Sequence, residues 1–153
     1  PMMTTSASFF IRGAGGFGGE RGPSGNRNQP PDGPADHVVT VPTKPDQALL
    51  YRLSGDRNPL HADPWFAKGA GFDRPILHGL CTYGIGCKAI VNYVLDGDAG
   101  RVRSYGARFA GTVIPGETLQ ANLWRDGERI TGVLTAPSRD NVVVLAGIEL
   151  TAS

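Results

Sequence analysis

Beyond residue 100 the chain alternates apolar and polar positions in four runs, 101–110, 117–125, 128–136 and 141–150. A period of two turns one face of a β-strand towards a core and the other towards water. Pro115-Gly116, Asp126-Gly127 and Pro137-Ser138 separate the runs, and Asp126-Gly127 between alternating segments signals a short hairpin. The last run, Val142 to Leu150, is almost continuously apolar, which predicts a strand inside the sheet rather than at its edge. His37-Val-Val-Thr-Val41 alternates in the same way and adds an earlier strand.

Between these strands the period changes. Leu80, Tyr83, Cys87, Ile90, Val91 and Val94 recur at steps of three and four, an apolar stripe that predicts a long helix from Gly79 to about residue 95. Gly84 and Gly86 weaken that helix, a cost that makes sense if something approaches it closely. Asp46 predicts the cap of a short helix over 47–53 ending at Gly55, and Asp63-Pro64 opens another. One strand, then helices, then four hairpin-linked strands describe an α+β domain whose antiparallel sheet is covered by one long helix.

Residues 1–36 read differently. Residues 6–12 predict one short strand, followed by a glycine run and a polar, proline-laden linker over 26–36, so the folded domain is expected over 37–153. The 153 residues, 40% hydrophobic, suffice for one domain with its own core. A formal net charge of +1 calls for neither nucleic acid nor an anionic membrane. Apolar runs stay far below the ~18 residues of a membrane helix, and no charged-then-apolar leader opens the sequence. Cys81 and Cys87, six apart, match no metal or redox spacing and read as reduced core residues, which makes a cytoplasmic location the expectation.

The densest polar cluster is Asp56-Arg-Asn58-Pro59-Leu-His61. Asn-Pro initiates turns, so the segment folds back and brings the Asp56 carboxylate towards the His61 imidazole. A carboxylate and an imidazole that touch one water make an acid/base pair; the alternative is a turn held together by Asp and Asn side chains. Pro75-Ile-Leu-His78-Gly79 runs straight into the long helix, whose first N–H groups and partial positive charge suit a ligand oxygen. The alternative there is a plain helix start that tolerates glycine. Gly13-Ala-Gly15-Gly-Phe-Gly18 has the spacing of a dinucleotide loop, but Glu20-Arg-Gly-Pro23 cannot open the helix that such a site needs. The spacings of His37, His61 and His78 give no metal site.

Tyr51-Arg-Leu-Ser-Gly55-Asp56-Arg57-Asn58-Pro59-Leu-His61, then Gly71-Phe-x-x-Pro75-Ile-Leu-His78-Gly79-Leu80, Arg108-Phe109 and Pro115-Gly116-Glu117-Thr118-Leu119, closely resembles the type 2 enoyl-CoA hydratase signature of the MaoC-like dehydratases. The resemblance covers roughly residues 37–150. It implies a hot-dog fold, a curved antiparallel sheet wrapped around a central helix. It also implies reversible syn hydration of a trans-2-enoyl-CoA, fatty or sterol side-chain, to the (R)-3-hydroxyacyl-CoA in β-oxidation. Asp56 and His61 would be the catalytic pair, with Asn58, Gly79 and His78 at the substrate. No metal or cofactor is implied, since coenzyme A belongs to the substrate. A thioesterase in the same fold is the rival reading, and a non-catalytic half of a heteromer is another.

The resemblance is to the second half of two-module hydratases, and residues 6–25 look like the end of a first module. The chain is therefore expected to be a truncated product or one half of a split pair. Its partner would be a second copy or a separate first-half module, covering an open sheet edge. Arg57, Lys68, Arg74 and Lys88 are candidates for coenzyme A contacts by charge and sequence proximity alone; the alternative for each is a solvated surface residue.

Overall fold

The strand that the sequence marks as interior, β5 (Val142–Ala152), has a neighbour on each side. It runs antiparallel to β4 (Arg129–Ala136) and to β2 (Val102–Phe109). β3 (Thr118–Asp126) pairs with β4, and β1 (His37–Pro42) closes the other side, giving the order β1-β3-β4-β5-β2. The computed structural model describes residues 2–9, 11, 13–19 and 30–153. Between β1 and β2 lie α1 (Gln47–Tyr51), α2 (Pro64–Gly69) and the long α3 (Gly79–Val94). This is the sheet-and-helix arrangement that the resemblance implies.

Period two is cleanest in β3, where Leu119, Ala121 and Leu123 are buried. In β4 it breaks: the register against β5 shifts around Leu134, and residues 132–136 are all buried in sequence. The extra residues lie on β5, where Ile148 to Leu145 spans three steps against two from Gly132 to Leu134 and Gly147 sits at φ +53°, so the bulge bends β5 and increases its twist. The β3–β4 turn has the expected two residues but is shifted by one position. Asp126 is still paired with Arg129, so the two-residue turn is Gly127-Glu128, with Gly127 at φ +59° in the first turn position.

The face that α3 buries differs from the expected stripe. Cys81, Thr82, Gly86, Ala89, Ile90 and Val94 meet the core, while Leu80 is 61% exposed and Tyr83, Cys87 and Val91 are half-buried. The reason is proximity. A Cβ on Gly86 would sit 2.7 Å from the Tyr105 hydroxyl and 3.4 Å from Leu145, so the sheet comes in over small residues and the larger ones are turned outward. Tyr83 and Tyr105 fix that approach reciprocally, each hydroxyl donating to the other's carbonyl, at 2.7 and 3.0 Å. Gly86 thus fits the expected close approach; Gly84 faces open space.

Two further expectations need correcting. Asp46 makes no side-chain cap bond to α1, which tightens after Tyr51 into a 3-10 turn over Arg52–Ser54 and stops at Gly55, φ +116°. Residues 6–9 and 11 form no strand, while Phe10 and Arg12 lie outside the described residues. Of the expected linker, residues 26–29 also lie outside them, and residues 30–36 contain neither helix nor strand. Among the described residues no helix is long and apolar enough to cross a membrane.

Candidate active site

The loop between α1 and α2 is shaped by its own side chains. One carboxylate oxygen of Asp56 accepts the Asn58 N–H at 3.2 Å, and the Asn58 side-chain oxygen accepts the Leu60 N–H at 3.0 Å. Pro59 starts a 3-10 turn, Pro59–His61, which swings His61 back across the loop. Asp63 then caps α2 by accepting from the N–H groups of Trp65 and Phe66. The turn-forming role that the sequence offered as an alternative is therefore real, and it delivers His61 to Asp56. One carboxylate oxygen of Asp56 and one ring nitrogen from each of His61 and His78 lie within 4.8 Å of one another.

Both imidazoles have one nitrogen committed to the main chain. His61 Nδ1 is 2.8 Å from the Ile76 carbonyl. A carbonyl only accepts, so Nδ1 carries a proton and the neutral ring keeps Nε2 free to accept one. His78 Nε2 donates in the same way to the Asp56 carbonyl at 3.1 Å. The His61 and His78 rings stack with centroids 3.7 Å apart, and Tyr51 lies against the other ring at 4.8 Å. Burial holds His78 below the usual histidine range, and the neighbouring His61 and Arg52 add to this, while the contacts with Asp56 oppose it. His78 is 1% exposed, so it lies beneath the pair and not at a surface where substrate could touch it, as had been expected. Asp56, Asn58 and Gly79 are exposed and His61 is half-buried, so the pair is open to the outside.

Helix α3 starts immediately after His78. Its first intrahelical donor is Thr82, to the His78 carbonyl, and no side chain caps the N–H groups ahead of it. Asp63 shows the contrast, filling the same role at α2. An N-cap position left unfilled costs about 1 kcal/mol, and here it leaves main-chain donors available. An added Cβ on Gly79 would lie 3.2 Å from the Phe109 ring, which would have to give by a few tenths of an ångström.

The loop facing the pair is braced from beneath. Leu77 N–H donates to the Val113 carbonyl at 2.7 Å, and the Glu117 carboxylate accepts from Arg139 and from the Ile114 N–H. A cavity of about 250 Å³ lies beside His61, bounded by Ala48, Leu49, Arg74 and Pro115. Through Arg74, Ile114 and Pro115 it adjoins a cleft of about 830 Å³ reaching Ser138 and Arg139.

A family model described as MaoC like domain matches residues 26–142. The chain belongs to the MaoC-like domain family. It is 60% identical over 149 residues to enoyl-CoA hydratase ChsH3 of Mycobacterium tuberculosis, covering 97% of this chain and 52% of that protein. Against the peroxisomal multifunctional enzyme type 2 of mouse it is 47% identical over 125 residues, covering 80% of this chain and 17% of that one. The solved MaoC-like dehydratase of Phytophthora capsici superposes with a TM-score of 0.85 at 37% identity, over 94% of this chain and 48% of that one. The chain spans about half the length, or less, of these curated relatives.

On this MaoC-like scaffold the signature residues Asp56, Asn58, His61, His78 and Gly79 gather at one place, although the histidines are 17 positions apart. Histidine spacing along the chain does not reveal that convergence, because the loop and the root of α3 meet only in the fold. The trio Asp56, His61 and His78 is also where a metal ion would find donors among the described residues, and the second nitrogen of each ring bonds a main-chain carbonyl. Of the coenzyme A candidates, Arg74 lines both cavities; Arg57, Lys68 and Lys88 are exposed and line neither. Lys68 borders a separate groove beside Trp65.

Proposed function

We propose that this chain is a hydratase module that adds water reversibly to a trans-2-enoyl-CoA, giving the (R)-3-hydroxyacyl-CoA. The observation that carries the reading is that a carboxylate oxygen of Asp56 and a ring nitrogen of His61 lie within 4.8 Å of each other, open to the outside. A single water spans that gap by hydrogen bonds of ordinary length. Relatives named as enoyl-CoA hydratases support the same reaction.

In this mechanism the Gly79 N–H donates to the thioester oxygen as negative charge builds there. One such donor typically contributes about 3 kcal/mol to the transition state. The water held between Asp56 and His61 attacks C3 through its oxygen; the pair takes one of its protons and returns one to C2. Asn58 keeps Asp56 and His61 at their turn positions. No oxidation state changes, so the reading calls for no metal or redox group, and coenzyme A enters with the substrate.

The module is proposed to work paired, with a second copy or with a first-half module. β2 is an edge strand. Beside it, Leu80 (61% exposed) and Phe109 (51%) join half-buried Tyr83, Cys87 and Tyr105 in one apolar face. Unpaired edges and apolar faces of this kind are normally covered.

Incubation with crotonyl-, medium-chain and steroid enoyl-CoA, with and without an added first-half module, tests the reading. Loss of the conjugated-enoyl absorbance without release of free thiol is expected. Thiol release instead would mean that water attacks the carbonyl carbon, as in a thioesterase.

A further inference from the structure

We infer that His78 is a positioning residue for the acid/base pair: its buried ring pins the Asp56 backbone to the root of α3 and gives His61 the surface it stacks on. This rests on the hydratase reading above. Among the described residues, the bond from His78 Nε2 to the Asp56 carbonyl is the one hydrogen bond joining residues 55–58 to a distant part of the chain. Their other bonds stay within the loop itself.

Both members of the pair hang from the same three residues. Ile76 offers its carbonyl to His61, and His78 offers its Nε2–H to Asp56. Leu77 between them donates to Val113, so this short segment is itself anchored. The next residue is Gly79, whose N–H is the proposed donor to the thioester. A shift of His78 would therefore move carboxylate, imidazole and oxyanion donor relative to one another.

Stability alone does not account for a histidine here. With Nε2 donating, His78 Nδ1 is a buried acceptor without a hydrogen-bond partner among the described residues. A phenylalanine would fill the same space against Tyr51 and His61 without burying an unmet polar atom. What the imidazole supplies, and phenylalanine does not, is the donor to Asp56.

Two variants and one spectrum test this. Displacing catalytic groups by even 1 Å costs about 100-fold, so His78→Phe is expected to lower kcat about 10- to 100-fold, with KM within about threefold of wild type. His78→Gln, whose amide N–H takes the place of Nε2–H, is expected to recover most of that loss. Unchanged kcat in His78→Phe, equal losses in both variants, or a KM rise at constant kcat would each overturn the inference. Histidine-selective 15N NMR of the unaltered protein at pH 7 needs no variant to fold. One ring is expected as the fixed Nε2–H tautomer with Nδ1 unprotonated; a ring exchanging between tautomers overturns the inference. If the unaltered protein hydrates no enoyl-CoA, alone or with an added first-half module, the reaction assignment fails, while the tautomer result still decides whether the pin exists.

Discussion

Asp56→Asn is expected to lower kcat for enoyl-CoA hydration about 1,000-fold while leaving the fold intact, since general acid–base groups contribute roughly 10²–10⁴-fold. The substitution is nearly isosteric. Asp56 is exposed, and the hydrogen bond its side chain makes is acceptance of the Asn58 N–H, which an amide oxygen accepts equally well. The bond from His78 goes to the backbone carbonyl and does not depend on the side chain. Asn therefore keeps the turn and removes only the capacity to take and return a proton. Steady-state kinetics beside a thermal melt checks it: lost turnover with an unchanged melting temperature supports the role, and turnover near wild type removes it.

His61→Ala is the second large effect, with a loss of about 10²–10⁴-fold in kcat expected on the same grounds. This variant also carries a structural cost. The Ile76 carbonyl loses its partner and His78 loses the ring stacked on it, so a stability loss of about 1–3 kcal/mol accompanies the kinetic one. Denaturant titration separates the two effects: under conditions where His61→Ala is fully folded, the kinetic defect should persist in full. A defect that disappears there would make His61 a structural residue only.

The sheet was legible because period two is a local signal. All four late strands fall within two residues of their expected ends, and β5 is interior as its apolar run implied. The buried face of α3 was legible only in its second half: Ile90 and Val94 of the expected stripe are buried, but the periodicity also singled out the large residues Leu80, Tyr83 and Cys87. The sheet packs instead on small ones, down to Gly86 under Tyr105. That error has a functional side, since the outward apolar face is the one available to a partner.

At the site, the turn residues Asp56, Asn58 and Pro59 announce themselves locally, because the first two bond main-chain N–H groups two positions on and the proline starts the turn. His78 does not. Its value lies in a contact 22 residues away with a main-chain carbonyl, which no side-chain pattern records. The same holds for Ile76, which matters to His61 through its carbonyl alone. The uncapped start of α3 left a faint trace, as Asp63 stands where a helix wants its cap and His78 stands at the equivalent position of α3.

On the proposed mechanism Asp56 and His61, which come from one loop, hold one water, so oxygen and proton must arrive on the same face of the double bond. Hydration of a trans-2-enoyl-CoA in D₂O, with the product read by NMR and chiral analysis, tests this most directly. A single deuteron at C2, added syn to the new hydroxyl of an R-configured C3, is the expected result. Anti addition, scrambled deuterium at C2 or the S alcohol would contradict it.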